Sequence, residues 1–97
     1  MKKLTSGYDT KEKVLEIIDG DTFTTNRRKH PVRLANVDTP EKGQPGYRKA
    51  KQELANLIKD QEVVIDTVAR DKYNRSVAKV KIGPRSVNRA MEKFEKP

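Results

Sequence analysis

The sequence predicts a mainly β fold with two helices, in the order β-β-β-α-β-β-α. Short runs of β-branched and aromatic residues are separated by turn-forming Gly, Pro, Asn and Asp residues, and one longer segment carries apolar residues at helical spacing. The 97 residues fit one compact domain. We divide the chain into an N-terminal arm, residues 1–10, and a folded domain, residues 11–97.

Three strands are predicted in the first part of the chain. Residues 13–18, rich in Val, Leu and Ile, form the first strand. Asp19-Gly20 is a hairpin signal, and residues 22–25 continue as the second strand. Residues 32–37 form the third, which ends before Pro40 because Pro cannot donate a hydrogen bond within a central strand.

A helix, two strands and a final short helix follow. The helix has an apolar stripe with spacings of three and four residues, formed by Tyr47, Ala50, Leu54, Leu57 and Ile58. Residues 62–69 and 76–82 form the fourth and fifth strands, and Ser86 caps a short helix that continues to about Phe94. Five strands with a helix after the third match the five-stranded Greek-key barrel called the OB-fold.

Composition narrows the classes of function. The 22 Lys and Arg residues exceed the 14 Asp and Glu residues, and a net charge of +8 attracts polyanions, although many small basic domains bind none. The absence of Cys excludes disulfides and thiolate metal sites.

No apolar run reaches the ~18 residues of a membrane span, and the start of the chain lacks the apolar part of a signal peptide. We expect no membrane association, and either a cytoplasmic protein or a secreted one whose signal has been removed.

Polar residues cluster at three strand ends. The first cluster, Asp19-Gly20-Asp21-Thr22, is either a hairpin turn or a source of carboxylate ligands for a hard cation such as Ca²⁺ or Mg²⁺. An EF-hand is excluded, because Thr24 and His30 would stand where that loop requires Gly and Glu.

The second and third clusters contain basic side chains as well as carboxylates. Arg33, at the third strand, is followed closely by Asp38 and Glu41. The plain interpretation is a solvated strand charge followed by a turn or cap. The alternative is a phosphate-plus-metal site, for which one cation and two carboxylates are useful. In the third cluster, residues 70–75, a charged hairpin turn is the plain interpretation. The alternative uses Arg75 as a two-pronged phosphate ligand and Tyr73 as a contact to phosphate or base.

The three clusters together resemble the staphylococcal nuclease (thermonuclease-like) family in order and spacing. The motifs are Asp19-Gly20-Asp21-Thr22, Arg33-Leu34, Val37-Asp38-Thr39-Pro40-Glu41, Asp71-Lys72-Tyr73-Asn74-Arg75 and Ser86-Val87-Asn88. This resemblance implies an OB-fold nuclease that hydrolyses DNA and RNA to products with 3′-phosphates. It also implies a metal site, in which Asp21 and Asp38 bind one Ca²⁺ through their side chains and Thr39 through its carbonyl, with Asp19 just behind them. All-oxygen ligands alone would also accept Mg²⁺ or Mn²⁺.

The resemblance further implies catalytic roles. Arg33 and Arg75 would grip the scissile phosphate, and Glu41 would orient or deprotonate the attacking water. Lys72 and Tyr73 would contact a neighbouring phosphate. We expect a monomer that acts on DNA and RNA, with single strands preferred.

Two rival interpretations remain at the level of the sequence. A non-catalytic OB-fold module could bind single-stranded nucleic acid, but it would need several exposed aromatic residues, and Phe23 and Phe94 both look like core residues. A basic structural protein would explain the charge and leave the three clusters unexplained. One departure from the family is Asn74, which stands where Gly is usual. Asn is the next best residue there if the backbone has a positive φ.

Overall fold

The computed structural model describes residues 9–96 and contains the predicted elements in the predicted order. The strands are β1 (Asp9–Asp19), β2 (Thr22–Thr25), β3 (Val32–Leu34), β4 (Glu62–Arg70), β5 (Ser76–Ile82) and β6 (Arg85–Ser86). The helices are α1 (Tyr47–Ile58) and α2 (Val87–Met91), the latter followed by a 3₁₀ turn (Glu92–Phe94). The two-residue β6, which pairs with β5, was not predicted.

Five strands close into a barrel. Hydrogen bonds join them in the order β3-β2-β1-β4-β5, and a parallel pairing of β3 with β5 completes the circle. The other pairs are antiparallel. This arrangement, with one helix after β3 and a short helix near the C-terminus, confirms the predicted OB-fold.

Two strands differ in length from the prediction by more than one residue, and β4 is one residue longer than predicted. β1 begins at Asp9, because residues 9–13 pair with β4. β3 ends at Leu34 and not at residue 37, because Asn36 adopts a left-handed backbone with φ of 60°. Most of the predicted N-terminal arm, residues 1–8, lies outside the described residues. No helix among residues 9–96 has the length and apolar character that crossing a bilayer requires.

The core fills the barrel and the space under α1. The predicted stripe of α1 is buried through Ala50, Leu54 and Ile58, which pack with strand residues such as Phe23 and Ile65. Met91 brings α2 into the same cluster. Because α1 rests on the barrel by this stripe, its charged residues are left on the outside.

A buried ion pair ties four strands together. The Glu12 side chain on β1 is 3% exposed and accepts hydrogen bonds from Arg28 Nε and Nη2, both at 2.8 Å, and from Thr25 Oγ1 at 2.7 Å. Arg28 Nη1 donates onward to Thr67 on β4 and Ser76 on β5. The Arg28 guanidinium therefore links residues that are far apart in sequence.

The hairpin turn between β1 and β2 packs tightly against α1. A Cβ atom added at Gly20 would lie 2.6 Å from Ala50 Cβ and 2.7 Å from Thr39 Oγ1, well inside van der Waals contact. Only glycine allows the turn, the helix and the Thr39 loop to approach one another this closely.

We expect Gly20→Ala to lower the free energy of unfolding by about 1–3 kcal/mol, the usual cost of overpacking a dense site. Urea denaturation of the purified variant would measure it. Since the clash is with Ala50, the double variant Gly20→Ala/Ala50→Gly should be more stable than the sum of the two single changes predicts. A Gly20→Ala variant as stable as the parent would contradict this packing.

Candidate active site

The β1–β2 turn holds Asp21 firmly in place. Its side chain is almost fully buried. One carboxylate oxygen accepts a hydrogen bond from Thr22 Oγ1 at 2.8 Å, and the other accepts the Thr39 backbone N–H at 3.1 Å. Asp21 therefore joins the first polar cluster to the loop that carries the second.

Asp19 stands beside Asp21 in the same turn. It accepts the Asp21 backbone N–H at 3.0 Å, as in an ordinary Asx turn. Burial, together with the neighbouring Asp21 carboxylate, raises the pKa of Asp19 to about 6. Two carboxylates are therefore crowded at the mouth of the turn, where positive charge would relieve their repulsion.

Arg33 bridges the two carboxylates that were predicted to share a metal ion. Its Nη2 atom lies 3.4 Å from Asp21 Oδ2 and 3.4 Å from Asp38 Oδ1, while Nη1 donates to the Leu34 carbonyl at 3.0 Å. Asp21 is buried, whereas the Asp38 side chain is 56% exposed. Strand β3 thus places a cation between the first and second clusters.

The β4–β5 hairpin presents Arg75 through a contact that was not predicted. Asp71 accepts the backbone N–H groups of Tyr73 and Arg75, and its other oxygen lies 2.7 Å from Arg75 Nε. Although burial acts to raise it, these hydrogen bonds lower the pKa of Asp71 below its ordinary value. Asn74 has a φ of 66°, so it does occupy the left-handed position that was anticipated. These contacts with Asp71 fix the orientation of the Arg75 side chain.

The three clusters meet in a single pocket of about 410 Å³. Its lining residues are Asp19, Asp21, Arg33, Asp38, Glu41, Lys42, Tyr73 and Arg75. Of the predicted site residues, Thr39 is buried behind this lining and Lys72 lies outside it, with its ammonium 5.4 Å from the centre of the Tyr73 ring. Lys42 was not predicted, because a single lysine in a loop carries no distinguishing pattern.

The end of the described chain also contacts the pocket. The Asp38 backbone N–H donates to the Glu95 carboxylate at 3.2 Å, and the Lys96 backbone N–H donates to the Asp38 carbonyl at 3.0 Å. Lys96 Nζ lies 3.6 Å from Asp38 Oδ2. This segment therefore holds the Asp38 loop in position, and no sequence signal pointed to it.

The oxygen atoms around Asp21 and Asp38 suit a hard divalent cation. Within residues 9–96, no three Asp, Glu or His side chains form a metal site unaided, so a backbone carbonyl such as that of Thr39 and water would complete the shell. The Thr39 hydroxyl is buried there without a hydrogen-bond partner. The lining has four carboxylates and three basic side chains. A bound phosphodiester would add negative charge, which a divalent cation would balance.

Comparison with known proteins identifies the family. A family model described as "Staphylococcal nuclease homologue" matches residues 31–94. The chain belongs to this staphylococcal nuclease family. The match includes Arg33, Asp38, Glu41 and Arg75, while Asp19 and Asp21 precede it and are placed in the pocket by the fold.

Several curated relatives of this chain are named as nucleases. The chain is 40% identical over 74 residues to "Micrococcal nuclease" of Shigella flexneri, covering 74% of this chain and 42% of that protein. It is 34% identical over 84 residues to an "Uncharacterized endonuclease" of Haemophilus influenzae, covering 84% and 47%. It is 37% identical over 89 residues to "Protein ParB" of Escherichia coli, covering 80% and 50%. The chain thus spans about half the length of these relatives.

Proposed function

We propose that this protein is a calcium-dependent nuclease that hydrolyses phosphodiester bonds of DNA and RNA. The observation that carries the proposal is the meeting of four carboxylates, two arginines and a tyrosine in one pocket, although they come from three separate parts of the chain. Family membership and the names of the relatives support it.

The two arginines would bind the scissile phosphate. Arg33 and Arg75 both line the pocket, and each guanidinium can make a two-pronged contact with phosphate oxygens. Negative charge accumulates on those oxygens as water attacks phosphorus, so fixed donors stabilise the transition state more than the bound substrate. Loss of the 5′-oxygen as the leaving group gives a product with a 3′-phosphate.

Glu41 is the candidate for positioning the attacking water. It is exposed and lines the same pocket, while its backbone N–H donates to Gln44 Oε1 at 2.7 Å, which fixes its place in the loop. A carboxylate there would orient the water or accept its proton.

A metal ion would be held by Asp21 and Asp38, with the Thr39 carbonyl as a third ligand. When bound, it would supply Lewis-acid stabilisation of the charge on the phosphate oxygens. Calcium is proposed from the family resemblance, since the oxygen ligands alone would also accept Mg²⁺ or Mn²⁺.

Tyr73 and Lys72 would contact the nucleic acid next to the cleaved bond. Tyr73 is 65% exposed and lines the pocket, and both Lys72 and Arg75 lie 5.4 Å from its ring centre. An exposed aromatic ring favours unpaired bases, and we propose single strands as the preferred substrate of a monomeric enzyme.

The metal requirement is testable with one matched pair of variants. We expect purified protein to shorten single-stranded DNA with Ca²⁺, to stop when a chelator is added, and to resume when Ca²⁺ is restored. Asp38→Asn should lose about 10²-fold or more in rate, as expected for a group that supports the transition state. The change should be tolerated by the fold because that side chain is exposed.

Asp60→Asn is the control, because Asp60 is also an exposed aspartate but lies outside the pocket. It should retain the activity of the parent. DNA that is bound but never cut would favour the non-catalytic OB-fold module. Cleavage that survives both chelator and Asp38→Asn would remove the metal from the proposal.

A further inference from the structure

Two further grooves continue from the pocket along α1. The first, about 590 Å³, shares Lys42 with the pocket. The second, about 420 Å³, lies between α1 and β1 and shares Tyr47 and Arg48 with the first. A continuous surface therefore leads from the proposed site of cleavage along the outer side of the helix.

The charges of α1 are divided between its two sides. Arg48, Lys49 and Lys51 line the two grooves that continue from the pocket. Glu53, the acidic residue of α1, lines a different groove near α2. Among the described residues that line the two continuing grooves, Glu16 is the only acidic one. The side of α1 that adjoins the pocket is therefore strongly basic.

No acidic residue or side-chain cap of α1 offsets this positive charge at the start of the helix. The first turn of the helix contains no acidic residue, and its N-cap, Gly46, makes no capping hydrogen bond through a side chain. The helix dipole thus adds to the field of the basic residues. Lys59 contributes less, because it lies 3.8 Å from Asp60 and also donates to the Leu15 carbonyl.

Tyr47 is fixed where the two grooves meet. Its hydroxyl donates to the Ile18 carbonyl at 3.1 Å, and Lys51 Nζ lies 5.7 Å from the centre of its ring. An anchored aromatic ring with a cation beside it can stack on a base, whatever the identity of that base.

We propose that the nucleic-acid strand leaves the pocket across Lys42 and runs along this surface of α1. The enzyme would then hold several nucleotides beyond the cleaved bond, within the range of about 4–16 nucleotides found for OB-folds. This inference rests on the proposed nuclease function and extends the bound substrate from the two nucleotides at the cleaved bond to a longer polynucleotide.

The test compares two triple variants that remove the same number of positive charges. Arg48→Gln/Lys49→Gln/Lys51→Gln changes the α1 surface, and Gln preserves helix propensity. The control, Lys11→Gln/Lys29→Gln/Lys81→Gln, changes exposed residues that line none of these grooves. Cleavage of TpT and of an oligothymidylate of about 20 nucleotides would be measured. Binding of the labelled oligonucleotide would be followed by fluorescence anisotropy in chelator over a range of salt concentrations.

We expect the α1 variant to cleave TpT like the parent and to lose about 10-fold or more in kcat/KM on the long substrate. Its binding should weaken similarly, and the slope of log K against log salt should fall by about 2, for three lost phosphate contacts. The control variant should change little in either measurement.

Equal losses in both triple variants would overturn the proposed path, because they would reflect net charge alone. A loss on TpT would also overturn it, since the α1 residues would then act inside the pocket. If the parent binds the oligonucleotide but cuts nothing, the nuclease proposal fails separately. Binding then decides the path: a selective loss in the α1 variant supports it, and an equal loss or none rejects it.

Discussion

Replacing Arg75 with Ala should reduce kcat by about 10²–10³-fold while leaving the fold intact. This is the usual effect of removing one donor aimed at a transition-state oxyanion. Arg75 makes its ion pair with Asp71 at the pocket edge, and both side chains are partly exposed, so the stability lost with that pair is small. Activity on single-stranded DNA and urea denaturation, measured on the same preparation, separate the two effects.

Arg33→Ala should show a similar loss of turnover with a larger loss of stability. Arg33 is the cation paired with Asp21, which is buried and would keep only its hydrogen bonds from Thr22 and Thr39. Weakening the support of a buried charged group costs about 1–3 kcal/mol. The two arginine variants should differ in unfolding but not in activity, because the carboxylate paired with Arg33 is more deeply buried (Asp21, 7% exposed) than the one paired with Arg75 (Asp71, 21% exposed).

Arg85→Ala is the matched control for these variants, because Arg85 is exposed and lines the groove near α2, away from the pocket. It should retain full activity. Arg75→Lys should recover only part of the rate, since an ammonium cannot make the two-pronged contact of a guanidinium. Full activity in purified Arg33→Ala and Arg75→Ala would show that these residues do not bind the scissile phosphate.

The elements that were predicted closely are those specified by local sequence. β2 and β5 have the predicted bounds, and α1 extends over the predicted apolar stripe from Tyr47 to Ile58, because β-branched alternation or that stripe marks each of them. The end of β3 was misplaced because Asn36 bends the backbone, and an asparagine inside a strand-like run does not by itself announce a left-handed residue.

For the site, the residues that line the pocket were largely predicted, whereas the contacts that support them were not. The order of the three clusters and the family resemblance were enough to expect Asp21, Arg33, Asp38 and Arg75 in one pocket, which is where the fold places them. The support for Arg75 from Asp71 was visible in principle, since the two residues are four apart in one hairpin. The contacts of Glu95 and Lys96 with Asp38 could not be foreseen, because they join residues more than 50 positions apart without any motif.

The Glu12–Arg28 pair is a stronger example of a contact that sequence does not reveal. Both residues read as ordinary surface charges in a chain that is 37% charged. The barrel nevertheless buries Glu12 and brings Arg28 against it, with hydroxyl groups from β2, β4 and β5 completing the network. The contribution of the Glu12–Arg28 pair to stability can therefore be recognised only from the fold.

We expect Arg28→Met to lower the free energy of unfolding at pH 7 by about 3–5 kcal/mol. Removing one partner of a buried ion pair leaves the other charge without compensation. The loss is large for a domain whose total stability is about 5–15 kcal/mol. Urea denaturation followed by circular dichroism would measure it, and Lys29→Met, which removes a neighbouring exposed cation, is the control.

The cost of Arg28→Met should depend on pH with a definite sign. Burial acts to raise the pKa of Glu12, but hydrogen bonds from Arg28, Thr10 and Thr25 outweigh it and hold the pKa below its ordinary value of 4.5. In the parent, Glu12 therefore contributes stability above about pH 4.5, and the contribution is lost as pH falls through the lowered pKa. Without Arg28, burial should raise the pKa, so the variant would lose stability as pH rises. The cost of the substitution should accordingly be smaller at pH 4 than at pH 7.

The double variant Glu12→Gln/Arg28→Met distinguishes the charge from the packing. Gln is neutral, so no buried carboxylate is left without a cation. Its Oε1 can accept the hydrogen bond from Thr25, while its Nε2 can donate to the Thr10 hydroxyl. At pH 7 the double variant should be more stable than Arg28→Met alone, because replacing both members of a buried pair costs much less than breaking it. A cost of Arg28→Met that is the same at pH 4 and pH 7, with no recovery in the double variant, would mean that Arg28 stabilises the barrel by packing and not by neutralising Glu12.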